Sequence, residues 1–270
     1  MRNAQLKMRM ILVGTILFAL YFGAALVLAS MFPGIGLVPI LLLALVVLPV
    51  AQYKIGKWLT LRGAEPLPED RQYQHIHQMT ESLSEDMGLE KPKLMIKDMG
   101  VPNAFATGRK GAGVVCVSPQ LVQLLDRDEL EGVIAHELAH LNNRDTVMMV
   151  LGQSVGLIVS YAVFFLLRDD NNFFVAYAAS IAAQMLTLIF VMAISRYREY
   201  VADADAKRYT GNGEPLARAL EKISRGAEQG EAKMNDSASA LCILSVDRSA
   251  LKRIFATHPP TEKRLQRLRE

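Results

Sequence analysis

Cysteine is almost absent from this sequence, with only Cys116 and Cys242 among 270 residues. Two cysteines without a paired spacing exclude a disulfide framework and fit a compartment where thiols stay reduced. Histidine is also scarce, at five, so a pattern needing two of them four apart is seldom met by chance. The most informative absence is charge. Residues 10–53 contain no Asp, Glu, Lys or Arg over 44 positions, residues 146–167 none over 22, and residues 171–195 none over 25. Yet 21% of the chain is charged and 51% hydrophobic, so charge-free blocks are segregated from ordinary water-soluble sequence. The net charge of +3 comes from basic residues beside those blocks, and no nucleic-acid partner is expected.

A helix rises about 1.5 Å per residue, and each half of 10–53 is long enough for a hydrocarbon core of about 30 Å. FPGIG at 32–36 supplies a turn between the halves, which predicts a transmembrane hairpin over 10–53. A second hairpin is predicted over 146–195, interrupted by RDDNN at 168–172. It is the weaker of the two, because Gln153, Ser154, Ser160, Gln184 and Thr187 lie inside it; two buried core helices are the alternative. The first apolar run exceeds the usual 7 to 15 residues of a signal peptide and a second span follows at once, so it reads as retained. Arg2, Lys7, Arg9, Lys54, Lys57 and Arg62 flank the first hairpin, and Arg144, Arg196 and Arg198 the second. By the positive-inside rule, these flanks are cytoplasmic and the chain is a multi-pass protein of the cytoplasmic membrane.

Residues 54–145 and 196–270 remain, and each is small enough that one shared core is expected. The fold class that follows is mainly α with a small β-sheet: four transmembrane helices in two hairpins and one cytoplasmic domain. LPEDRQYQHIHQMTESLSEDMGL reads as a helix ended by Gly88, with His75 and His77 on different faces as ordinary surface or partly packed residues. KPKLMIKD, NAFATG and GAGVVCVSP read as strands, with Gly108, Gly111 and Gly113 marking the turn between the last two.

VIAHELAHLNNRD, from residue 133 on, carries the chemistry. Asp128 and Glu131 are spaced to cap a helix start. On that helix His136 and His140 are four apart, so their rings emerge one turn above the other, close enough for one ion. A catalytic zinc site needs a third protein ligand and an open position for water. SRYREYVADADA at 195–206 offers Glu199 as that ligand, with Asp203 one turn on to accept from the far nitrogen of a ligand histidine. The alternative is a charged helix end in which Arg196, Arg198, Glu199 and Asp203 pair with one another. Glu137 can serve as general base for a water activated by zinc.

Four blocks in order, PNAFATG at 102–108, HELAHLNNRD at 136–145, SRYREYVADADA and THPPTEKRLQRL at 257–268, together with the two hairpins, make the chain resemble the HtpX-type integral-membrane zinc endopeptidases, relatives of the CAAX prenyl protease. The resemblance implies one Zn2+ held by His136, His140 and Glu199, Glu137 as catalytic base, a cytoplasm-facing site, and substrates among misfolded or damaged membrane proteins and unfolded polypeptides.

The family match also favours His258 as a donor to the tetrahedral oxyanion, with a capping or packing role as the alternative. PNAFATG can pair with a substrate backbone as an added strand, Asn103, Ala104 and Phe105 making the contacts; a plain edge strand and turn is the other reading. Residues 228–240 match no motif and read as a mobile loop. A prenyl-protein processing protease and a catalytically silent membrane scaffold are the competing functions. The complete His, Glu, His and Glu set speaks against the scaffold.

Overall fold

The computed structural model describes residues 2–35, 37–169, 172–225 and 259–270. His258 and the stretch 228–240 lie outside them. The chain divides into two compact units, residues 1–60 with 147–197 and residues 61–146 with 198–270.

The first unit is helical. Helix α1 spans Arg2–Met31; after the Pro33–Gly34 turn, α2 (Leu37–Leu42), a π-helical turn (Leu43–Val47) and α3 (Leu48–Leu61) follow end to end. The wide turn sits just ahead of Pro49, which has no amide to continue the regular ladder. Helices α7 (Asp145–Leu167) and α8 (Phe173–Thr210) supply the rest. Tyr21, Leu28, Ala44, Val155, Ile158, Ala162 and Val191 form the buried apolar cluster. Polar groups inside it find partners: the Tyr21 hydroxyl donates to the Ala44 carbonyl, and Ser154 Oγ to Gln52 Oε1, as burial demands. Many large side chains nevertheless face outward, among them Phe18, Val46, Leu186 and Phe190. Among the described residues, α7 and α8 are long and apolar enough to cross a membrane, and Phe18–Met31 is a shorter apolar stretch.

The second unit is built on a four-stranded mixed sheet of order β1-β2-β4-β3. Strands β2 (Lys93–Ile96) and β4 (Val114–Val117) run parallel at its centre, and β1 (Glu65–Pro66) and β3 (Ala104–Thr107) are antiparallel edges. The three strands expected from the sequence are present, and β1 is an addition. A two-residue strand containing proline leaves no alternating pattern to read. All four residues of β4 are buried. Helix α4 (Gln74–Asp86) lays Ile76, Met79, Thr80 and Leu83 on the core, the i, i+3, i+4, i+7 face of an amphipathic helix. It starts later than the sequence pattern suggests, because the carbonyl and carboxylate of Asp70 bind the amides of Tyr73 and its neighbours in a turn. His75 and His77 are partly buried, and His77 Nε2 lies 3.1 Å from the Pro68 carbonyl.

Short helix α5 (Pro119–Leu124), capped by Ser118, leads into α6 (Arg127–Asn142). Ile134 and Leu138 of α6 are fully buried against this core. A further helix covers 214–225, and it comes so close to α6 that a Cβ on Gly132 would meet the Leu216 backbone nitrogen at 3.0 Å. Only glycine allows that approach without movement. Lys222 from the same helix pairs at 2.5 Å with Glu129, which is buried at the start of α6. Helix Thr261–Arg269 completes the unit.

Candidate metal centre

Helix α6 is fixed at both ends before any ligand is considered. Its cap is Asp126, not Asp128 as the sequence spacing suggested: Asp126 accepts from the Glu129 amide, and Glu129 reaches back to the Asp126 amide. The same reciprocal arrangement is therefore made two residues earlier, and Asp128 falls inside the first turn. At the other end Arg144 adopts φ 56, a left-handed conformation that a non-glycine residue takes at some cost. This turn stops α6 and lets Asp145 begin α7 within reach of the His140 ring.

His136 and His140 face each other with their Nε2 atoms 3.1 Å apart. Glu199 Oε1 lies 3.4 Å from His140 Nε2, and Glu199 Oε2 lies 3.5 Å from His136 Nε2. All three side chains are largely buried. Within SRYREYVADADA, Glu199 and Asp203 both turn toward the histidines. Asp203 Oδ1 is 3.0 Å from His136 Nδ1, and Asp145 Oδ2 is 2.5 Å from His140 Nδ1. Each imidazole therefore has a carboxylate behind it.

The donor set suits a single metal ion. Two nitrogens and a carboxylate bound at about 2.0–2.1 Å around a tetrahedral ion would stand roughly 3.3 Å from one another, close to the separations seen. Two imidazole nitrogens 3.1 Å apart in a buried site are otherwise poorly matched, because only a proton on one of them can join them.

Residues 70–270 match peptidase family M48. The chain belongs to that family. Among M48-type relatives, the protease HtpX homolog of Halobacterium salinarum is 49% identical over 292 aligned positions, covering 96% of this chain and 100% of the relative. That of Salinibacter ruber is 40% identical and covers 78% of this chain and 79% of its own. The crystal structure of S. mikatae Ste24p shares the fold, with a TM-score of 0.59 over 98% of this chain at 20% identity. This chain spans 66% of the length of that one. The protein is thus a metallopeptidase, and the cluster of His136, His140 and Glu199 is where its metal fits.

Around this M48 site lie three residues that sequence reasoning passed over. Asp145 is the carboxylate behind His140, and Arg198 Nε holds its other oxygen at 2.8 Å. Arg264, from helix Thr261–Arg269, places Nε and Nη2 on the two oxygens of Asp203 at 2.9 and 2.7 Å, and Nη1 3.2 Å from Glu199 Oε2. Glu137 is 9% exposed on the same helix as the histidines. Asn103 is exposed at the start of β3, and Ala104 and Phe105 lie within that edge strand, partly buried.

The metal-free cluster holds protons strongly. Burial opposes charge on His140, but Asp145 and Glu199 outweigh it and push its pKa up to about 10. Burial likewise opposes charge on His136, yet Asp203 and Glu199 raise its pKa above the ordinary value. Asp203 also resists burial, and His136 and Arg264 hold its carboxyl below the usual range. Groups with raised folded-state pKa values stabilise the metal-free fold fully below about pH 6.5, and that contribution fades as pH rises toward 10. Metal binding has the opposite sign, because both rings must be neutral to ligate. Loading near neutral pH is therefore expected to release the His140 proton, and apparent affinity should fall about 10-fold per pH unit of acidification. Calorimetric titrations in buffers of different ionisation enthalpy measure the proton count directly.

Proposed function

We propose that this M48 peptidase is a membrane-embedded zinc endopeptidase that cleaves misfolded or damaged membrane proteins in segments exposed to the cytoplasm. The observation that carries the reading is the convergence of His136, His140 and Glu199, all offering ligand atoms within 4.8 Å of one another, beside Glu137. When bound, zinc lowers the pKa of water to about 7 and polarises the scissile carbonyl. His136, His140 and Glu199 hold it, while Asp203 and Asp145 orient the two imidazoles through their far nitrogens. Glu137 removes the proton from the attacking water and delivers it to the leaving amine. His258 is the candidate donor to the oxyanion.

The membrane part of the proposal assigns residues 10–53 and 146–195 to two transmembrane hairpins, four spans in all, and residues 54–145 with 196–270 to a cytoplasmic peptidase domain. Support comes from the length and apolarity of α7 and α8, the apolar outer surface of the first unit, and the basic flanks. Cysteines introduced at Gly63 and Asn171 test the orientation. A membrane-impermeant thiol reagent added outside intact cells should label Asn171→Cys alone, and labelling of Gly63→Cys would reverse it.

Strand β3 supplies the substrate cleft. The Ser118 amide donates to the Asn103 carbonyl, so by the alternation of an antiparallel ladder the amides of Ala104 and Ala106 point away from β4. A substrate laid along this edge gains main-chain hydrogen bonds without demanding particular side chains. Ala106→Pro deletes one outward amide and leaves the β4 ladder intact. One lost hydrogen bond is worth about 0.5–1.5 kcal/mol, so KM should rise roughly 2- to 10-fold with zinc content unchanged. The function as a whole is tested by detergent-purified protein: one zinc per chain, casein cleavage, loss of both on chelation and recovery on zinc addition are expected. Cleavage that survives complete removal of metal would overturn it.

A further inference from the structure

The chemistry above leaves Arg264 without a task, although the residue is only 6% exposed and its guanidinium reaches Asp203, Glu199 and, at 3.4 Å, His136 Nε2. Helix Thr261–Arg269 is anchored independently of it. Arg267 lies over the Tyr200 ring at 3.8 Å, Lys207 Nζ donates to the Leu268 carbonyl at 2.8 Å, and Leu268 is buried. With the helix so docked, one planar fork reaches two carboxylates that sit one turn apart on α8. Two of its donors grip Asp203 side-on, and the third faces Glu199 Oε2.

The result is an asymmetric Glu199. Oε1 and Oε2 face His140 Nε2 and His136 Nε2 at 3.4 and 3.5 Å, but only Oε2 has a fixed cation beside it, Arg264 Nη1 at 3.2 Å. A carboxylate free to turn can offer a metal one oxygen or two. An oxygen engaged by a guanidinium is the poorer donor, because its electron density is already shared with a positive charge. We propose that Arg264 is a positioning residue of the metal centre, which commits Glu199 to the ion through Oε1 alone and keeps Asp203 turned toward His136. A coordination position is thereby kept open for water and substrate, as a catalytic site requires. Lysine could not replace it, since a single ammonium cannot hold a side-on carboxylate and a second one together. The inference rests on the zinc reading given above.

Full-length protein in detergent tests it with Arg264→Gln, Arg264→Lys and Arg267→Gln. The measurements are zinc Kd by chelator competition, the visible spectrum of the cobalt-substituted protein, and thermal melting. Arg264→Gln should raise Kd about 10- to 100-fold, the range for loss of a group supporting a ligand. Its cobalt bands should weaken as Glu199 turns to bind through both oxygens and the coordination number rises. Arg264→Lys should be intermediate in Kd and also show weakened bands. Arg267→Gln, which loosens the same helix without touching the cluster, should match the parent. A parental Kd and spectrum in Arg264→Gln, or equal losses in Arg267→Gln, would overturn the proposal. Should Arg264→Gln melt below the assay temperature, Arg264→Lys decides, and parental values in it sink the idea. If the parent protein itself takes up no stoichiometric zinc, or Glu199→Ala keeps it, the zinc reading has failed and not the role of Arg264.

Discussion

Glu137→Gln should leave the metal bound and abolish nearly all proteolysis. Glutamine keeps the volume and the hydrogen-bonding reach of the side chain, so α6, which is buried on both sides of this position, has no reason to move. What is lost is the proton acceptor. A positioned general base contributes about 10²- to 10⁴-fold, and because the role proposed for Glu137 covers both water activation and amine departure, the loss should lie at the upper end. Zinc content by elemental analysis, measured beside casein cleavage on the same sample, separates the two effects. A variant that loses both would place Glu137 among the ligands, and one that keeps full activity would remove it from the reaction.

Glu199→Ala should lose metal and activity together, and stability with them. Two histidines alone make a weak and exchangeable site. The substitution also strips one carboxylate from the buried Arg264 guanidinium and from both imidazoles. Removing one partner from a buried charge pair costs about 3–5 kcal/mol, and here Asp203 still holds Arg264, so the lower end is expected. The melting temperature of the metal-free variant, compared with the metal-free parent, isolates that cost from the lost zinc. Tight stoichiometric zinc in Glu199→Ala would disprove the ligand assignment.

The parts of this site that could be read from the sequence are those where helical geometry alone sets a distance. His136 and His140 on one helix, and Glu199 and Asp203 on another, are four residues apart, and four residues are one turn. The approach of the two pairs was argued from hydrophobic patterning and from resemblance, which say that segments meet but not which atoms do. Arg264 shows the limit. It lies inside THPPTEKRLQRL, a block noticed for its match, yet an arginine in a charged nonapeptide carries no mark of burial. Asp145 was hidden differently: its approach to His140 depends on Arg144 adopting a left-handed turn, a conformation that nothing in NNRD advertises. The misplaced cap at Asp128 arose because Asp126 and Asp128 each have a glutamate or equivalent three positions on, and the spacing rule cannot choose between them. Strand β1 was missed because pairing with β2, and not its own two residues, defines it.

The paired carboxylates behind the ligands also settle how such a centre can be assembled. Glu137, Asp145, Glu199 and Asp203 face Arg198 and Arg264 in one largely buried neighbourhood, four acids against two guanidiniums, which leaves two negative charges to be cancelled. A single proton between the two Nε2 atoms, 3.1 Å apart, cancels one of them in the metal-free chain. A divalent ion between two neutral rings would cancel both. The same carboxylates thus hold the scaffold with or without the ion, but only the ion would balance their charge. The negative charge that remains in the metal-free chain is itself what draws a cation to the histidines.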